Sequence, residues 1–251
     1  MDFDLKDKKV FVSGSSKGIG YGIAKKFLDE GSKVIINSRS RNELISASSS
    51  LGNCHYLVGD VSDPSTAKKI IKEANSLLSG LDIIVCNVGN SSSVLPGNET
   101  FAEWQKVFSL NFFSTTNLVE ASKSFLEKSK GSIICISSIC GVETIPSAPI
   151  TYSVAKSALN SYVKAMSFPL AKKGIRINAI APGNVNFKGS VWSKKIKKNP
   201  RKVKKMLVDN VPLEKFGSIE DVSNAVIWLS SKKSNFMSGT VIISDGGQTR
   251  S

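Results

Sequence analysis

A single histidine, His55, stands in a chain of 251 residues. That scarcity excludes histidine-built metal centres and leaves a serine or cysteine hydrolase with one candidate base. The four cysteines, Cys54, Cys86, Cys135 and Cys140, form no CxxC pair, and no His, Asp or Glu partners His55 at ligand spacing. Neither a structural metal nor a disulfide framework is expected, and Cys86 and Cys135, set inside apolar runs, read as small buried side chains. No apolar run approaches the roughly 18 residues of a membrane span. The opening Met1-Asp2-Phe3-Asp4-Leu5-Lys6 lacks the charged-then-apolar order of a secretion signal. The expected address is cytoplasmic, with no membrane partner.

Acid is also scarce: 20 Asp and Glu face 34 Lys and Arg, a net charge of +14. The excess is local, because the stretch Lys188 to Lys205 holds nine Lys and Arg and no acid. No nucleic-acid recognition motif accompanies it, so no nucleic-acid partner is expected. Hydrophobic residues make up 41% and charged residues 22%, which fits a soluble globular protein.

Short β-rich runs alternate with helical stretches along the whole chain, the pattern of a parallel sheet with crossover helices. Strands are expected at 9–13, 33–38, 55–58, 83–87, 132–137, 176–180 and 240–243. Amphipathic spacing predicts helices over 18–30, 64–79, 101–113, 116–128, 152–173 and 220–231. The length suits one α/β domain spanning 1–251. Residues 186–210 interrupt the rhythm after the sixth strand. In an open α/β sheet ligands bind beyond the carboxyl ends of strands, so this insertion reads as a substrate lid. A solvated lysine-rich helix pair is the plainer alternative.

The first strand runs into Ser13-Gly14-Ser15-Ser16-Lys17-Gly18-Ile19-Gly20 and then a helix. Glycines allow a tight turn and close approach to a diphosphate, and the helix start offers free N–H groups. The same residues match GxSxG, a nucleophile elbow with Ser16 as nucleophile. That reading needs a late histidine, whereas His55 opens the third strand, so the phosphate-binding turn is preferred. The second strand ends Asn37-Ser38-Arg39-Ser40-Arg41, with no acid before Glu43. An acid there would take the ribose 2′-hydroxyl of NAD, and an arginine pairs with the 2′-phosphate of NADP. Arg39 and Lys17 therefore favour NADP(H), although Arg39 and Arg41 also suit plain surface charges at a helix start.

Tyr152-Ser153-Val154-Ala155-Lys156 sets a phenol and an ammonium on one helix face. A neighbouring cation favours the phenolate, which would fit Tyr152 for proton transfer in both directions. Other motifs stand in order around it: the glycine turn, Asp60-Val61, Asn87-Val88-Gly89, Leu110-Asn111, Ile136-Ser137-Ser138 and Ala181-Pro182-Gly183. Taken in this order they resemble the short-chain dehydrogenase/reductases over essentially the whole chain.

The resemblance implies a single-domain Rossmann fold, a doubly wound seven-stranded parallel sheet in the order 3-2-1-4-5-6-7. It implies that NADP(H) is held by Gly14, Ser16, Lys17, Gly18, Ile19 and Gly20, by Arg39, Asp60 and Val61, and by Asn87 and Gly89. Pro182, Gly183 and Val185 would lie on the nicotinamide side, with Tyr152 and Lys156. Ser138 would polarise the substrate oxygen, Tyr152 transfer the proton, Lys156 lower its pKa and hold a ribose hydroxyl, and Asn111 fix a relay water. The interval from Ser138 to Tyr152 is one residue longer than is common in the family, which keeps Ser137 as a second choice. Val88 replaces an alanine, and Asn186-Phe187 stands where many members carry a threonine.

The resemblance does not name the substrate, a small carbonyl or alcohol, and the basic lid would suit an anionic one. The basic lid, Trp192 within it and the ending Asp245-Gly246-Gly247-Gln248-Thr249-Arg250-Ser251 lean toward a sugar or sugar nucleotide in glycan synthesis. A 3-oxoacyl-acyl-carrier-protein reductase is the alternative, with Lys130 and Lys173 available to an acidic carrier. A non-catalytic NADP-binding redox sensor is the alternative of a different class. Relatives are mostly tetramers, so a homotetramer is expected through helices 101–113, 116–128 and 152–173 and the last strand, with Trp104, Phe112 and Phe125 read as exposed-face aromatics, although core packing explains them as well.

Overall fold

The computed structural model describes residues 2–250. Seven strands form one sheet: β1 (Lys9–Val12), β2 (Lys33–Ser38), β3 (His55–Val58), β4 (Ile83–Cys86), β5 (Ser132–Ile136), β6 (Arg176–Pro182) and β7 (Val241–Ser244). Their order is β3-β2-β1-β4-β5-β6-β7, with every pairing parallel. A parallel sheet needs helices on both faces, so its central strands lose the in–out alternation of a half-exposed sheet. All of β4 and β5 is buried, and Cys86 lies beside Cys135 in register.

The covering helices are α1 (Gly18–Asp29), α2 (Arg41–Ser50), α3 (Pro64–Leu78), α4 (Phe101–Phe108), α5 (Ser114–Ser129), α6 (Ile150–Ala171), α7 (Val191–Lys198), α8 (Pro200–Asn210) and α9 (Ile219–Ser230). One core layer packs Ile70, Ile71, Leu118 and Leu159 under one face of the sheet. The other packs Ile23, Phe27, Val222 and Val226 on the opposite face. The strand order reverses between β1 and β4, which opens a crevice at their carboxyl ends.

Two expectations are corrected. Helix 101–113 is not continuous: α4 ends at Phe108 and a π-helical turn spans Ser109–Phe113 before α5. The cause is Asn111, whose buried amide donates to the Val107 carbonyl four residues back at 3.0 Å and so occupies a backbone acceptor. Helix α2 follows the helix start read at Arg39 and Arg41, its serine-rich sequence having weak amphipathic contrast, and Ser40 caps it on the Glu43 N–H. The aromatic faces also differ. Phe112 and Phe125 pack against the core and Trp104 is half-buried, whereas Phe101 and Phe113 are exposed.

The segment 186–210 folds as α7 and α8, with Ser190 capping the first and Asn199 the second. Val203 and Leu207 anchor α8 in the body of the protein while its lysines point outward.

Candidate active site

A cleft of about 940 Å³ runs along the carboxyl ends of the strands. It lies near the upper end of the usual 300–1,000 Å³ range for small-molecule sites. Its floor is the turn after β1. Gly14 and Gly18 take left-handed φ values of 60° and 62°, where a side chain would be strained. A Cβ on Gly20 would collide with the Gly14 carbonyl and the Asn87 amide. Asn87 itself braces this turn, donating to the carbonyls of Ser13 at 3.1 Å and Gly14 at 2.9 Å.

Helix α1 opens directly from the turn. No side chain caps it and no acid sits in its first turn. Its first N–H groups and the positive end of its dipole therefore remain available to an anion. Together with the space that three glycines leave open, this end of the cleft fits the diphosphate of a dinucleotide.

At the end of β2 the charges arrive in pairs. Arg39 lies 3.4 Å from Asp60, and Lys17 lies 2.8 Å from Glu43. Ser16 also donates to Glu43 at 2.9 Å. The Lys17 and Ser16 bonds hold the Glu43 carboxyl below its ordinary pKa. Burial opposes ionisation of Asp60, but bonds from Ser62 and the Arg39 charge outweigh it and leave that carboxyl low as well. Both cations expected at a 2′-phosphate are thus present, each with a counter-ion. Glu43 is the participant that sequence reading overlooked. Its signal was the spacing Ser40 to Glu43, which reads as a helix cap, whereas the carboxylate turns back to the glycine turn.

The other end of the cleft holds Ser138, Tyr152 and Lys156. Tyr152 and Lys156 come from the first two turns of α6, and Ser138 follows β5. The structure separates the two serine candidates. Ser137 is buried and spends its hydroxyl on Asn160 at 2.6 Å. Ser138 instead accepts from the Cys140 N–H at 3.2 Å and interacts with the Tyr152 phenol.

The expected lowering of the Tyr152 pKa does not occur in this arrangement. Burial pushes the phenol up to about 12, and the Ser138 hydroxyl recovers only part of that rise. The Lys156 ammonium sits 5.9 Å from the ring centre and donates to the Ile136 carbonyl at 2.8 Å rather than to the phenol, so it does not offset that burial. Lys156 itself is 3% exposed, and burial brings its pKa down to about 8.

Among the expected site residues, only Asn111 stands off the cleft wall. Its Nδ2 donates to the Val107 and Asn90 carbonyls, and its Oδ1 accepts the Asn90 N–H at 2.9 Å. With both Nδ2 hydrogens spent, the side chain could hold a relay water only through the second lone pair of Oδ1. Asn111 and Lys156 nonetheless meet behind Gly89, whose missing Cβ would touch both. The remaining expected residues, Ile19, Val61, Pro182, Gly183 and Val185 among them, line the cleft. His55 opens β3, at the end of the strand away from the cleft, which removes the only base for the Ser16 nucleophile reading.

The segment after β6 adds a wall built by Phe187, Lys188, Ser190, Trp192 and Lys194. Phe187, in the place of a threonine, rests on the glycine turn so closely that a Cβ on Gly18 would stand 2.8 Å from its ring.

A family model described as enoyl-(acyl carrier protein) reductase matches residues 14–249. The chain is 34% identical over 248 residues to isoepoxydon dehydrogenase patN of Penicillium expansum, covering 97% of this chain and 95% of the relative. It is 32% identical over 246 residues to the 3-oxoacyl-acyl-carrier-protein reductase FabG of Rickettsia prowazekii, covering 97% and 98%. L-Sorbose reductase from Gluconobacter frateurii, solved with NADPH and L-sorbose, superposes with a TM-score of 0.91 at 27% identity, covering 100% of both chains.

Proposed function

The chain belongs to the short-chain dehydrogenase/reductase family, and on that premise we propose that it is an NADP(H)-dependent oxidoreductase interconverting a ketone and a secondary alcohol. The observation that carries this reading is a single cleft with an anion-accepting glycine turn at one end and Ser138, Tyr152 and Lys156 at the other. Related dehydrogenases and reductases act on alcohol and carbonyl groups, and NADPH occupies the L-sorbose reductase structure.

When bound, the nicotinamide supplies or accepts the hydride. The protein's own part is acid–base chemistry and positioning. Ser138 donates to the substrate oxygen as negative charge gathers there. Tyr152, protonated well above neutral pH, gives its proton to that oxygen during reduction. Lys156 stabilises the phenolate left behind and binds a ribose hydroxyl. The raised phenol pKa keeps Tyr152 in its protonated, donating form before reduction. Asn111 ties the π-helical turn to the Asn90 backbone and so holds the rear of the site. Residues 186–210 act as the substrate lid.

The substrate we favour is a sugar or sugar-nucleotide carbonyl, supported by the Trp192 wall and by the likeness to L-sorbose reductase. The reductase from Rickettsia prowazekii, similar over its whole length, keeps a 3-oxoacyl thioester as the second reading. NADPH oxidation should separate the two when acetoacetyl-CoA is set beside keto-sugars and 4-keto nucleotide sugars. Turnover that disappears in Tyr152→Phe is expected. No turnover of any carbonyl, with NADPH still bound, would replace the enzyme reading with the redox-sensor one. Assembly as a homotetramer is also proposed, with Phe101, Phe113, Ile150 and Val154 exposed on α4, the π-helical turn and α6 and awaiting cover. A monomer by light scattering would refute it.

A further inference from the structure

Two lysines on the cleft wall have no counter-ion among the described residues. Lys188 and Lys194 both line the cleft, and among the described residues neither forms an ion pair. The cleft's two carboxylates, Glu43 and Asp60, lie on the β2–β3 side and are engaged by Lys17 and Arg39. The lid springs from β6, across the sheet from them. No acid occurs between Lys188 and Lys205, and the lid's one carboxylate, Asp209 near the end of α8, is paired with Lys205 at 3.2 Å.

Between the two lysines stands Trp192, which lines the same cleft. Phe216 braces its ring at a centroid distance of 5.3 Å, and Lys195 sits 4.5 Å from the ring centre. A braced indole offers a flat apolar face to a ring, and ammonium groups serve as point-charge partners for phosphate. A neutral substrate would leave both lysines unneutralised against that wall. The dinucleotide's own diphosphate does not call for them, because the uncapped start of α1 already provides its seat.

We infer that the lid wall is a phosphate-ester subsite, in which Lys188 and Lys194 hold the phosphate or diphosphate of a ring-bearing carbonyl substrate lying against Trp192. The inference deepens the carbonyl-oxidoreductase reading and rests on it for the position of the reacting carbonyl. Two sources share this chemistry, a nucleoside diphosphate sugar and a coenzyme A type thioester with its phosphates.

Calorimetric titration of the NADP+-saturated protein tests it without turnover, using UDP, coenzyme A and uridine as probes. UDP or coenzyme A should bind, uridine should not, and added salt should weaken binding. The double variant Lys188→Ala/Lys194→Ala should bind the phosphate probe about tenfold or more weakly, as expected for loss of two charge-assisted contacts. NADP+ affinity should move by less than about twofold, since the α1 seat is untouched. Tighter UDP identifies the nucleotide-sugar source, and tighter coenzyme A the thioester source. The inference is overturned if neither probe binds, if the double variant binds like the wild type, or if NADP+ affinity falls in parallel. Loss of carbonyl turnover with UDP binding intact would instead overturn the enzymatic reading alone.

Discussion

Glu43→Gln should tighten NADPH binding. The carboxylate engages Lys17 at 2.8 Å and Ser16 at 2.9 Å, the groups a 2′-phosphate needs. Side-chain exposures of 75% for Lys17 and 43% for Glu43 place this pair in the solvent-screened regime, where an ion pair contributes about 0.2–1 kcal/mol. A phosphate arriving at roughly 6 Å from Glu43 in water-like surroundings meets about 0.7 kcal/mol of repulsion per unit charge. Releasing the pair and removing the repulsion together amount to about 1–2 kcal/mol, or roughly five- to thirtyfold in Kd. Titration by quenching of protein fluorescence at low salt measures this directly. NADH has no 2′-phosphate, so its affinity should stay constant or fall as the 2′-hydroxyl loses an acceptor. The NADPH gain should shrink as salt rises. Unchanged or weaker NADPH binding in Glu43→Gln would refute the placement of the 2′-phosphate between Lys17 and Arg39.

Other expectations concern the catalytic end and the turn. Ser138→Ala should lower kcat by about a hundredfold or more with little change in NADPH affinity, as for removal of an oxyanion donor. Ser137→Ala should instead lower thermal stability, because it strips the buried Asn160 of its 2.6 Å bond; the reverse pattern would transfer the polarising role to Ser137. Lys156 has a depressed pKa of about 8 in the fold, so burying its cation costs stability fully below that value, and the cost is relieved as pH rises toward the unfolded value of 10.5. The Tm of Lys156→Met relative to wild type should therefore be higher at pH 7 than at pH 10, and a difference independent of pH would mean that Lys156 is not charged where it is buried. Gly20→Ala should weaken NADPH binding by about tenfold or more, since displacing the Gly14 carbonyl moves the backbone that approaches the diphosphate; binding within about twofold of wild type would show that the turn does not hold the dinucleotide.

Much of this architecture was legible in the chain because its signals are local. Continuous apolar runs such as Ile83–Cys86 belong to strands buried on both faces. The glycine turn carries its φ requirement in its residue type, and Tyr152 and Lys156 share a face by helical periodicity alone. Even the basic lid was visible, as a stretch without acid. These properties depend on neighbours within one or two turns of chain, so no tertiary contact is needed to read them.

What depended on the fold was where distant groups meet and how water is excluded. The choice between Ser137 and Ser138 rested on Asn160, more than twenty residues away, which takes up the Ser137 hydroxyl. The break after Phe108 came from a side chain turning back into its own helix to fasten Asn90. Glu43 entered the cofactor corner because α2 folds back beside the glycine turn. The phenol moved up rather than down because the protein around Tyr152 desolvates it, while spacing along a helix speaks only for Lys156. Periodicity and residue type thus decided the succession of strands and helices, the glycine turn and the shared face of Tyr152 and Lys156, while the sheet order and the proposed catalytic roles came from the family resemblance. The partners and proton affinities of these side chains were decided by long-range packing, because hydrogen-bond competition and desolvation depend on what lies near in space.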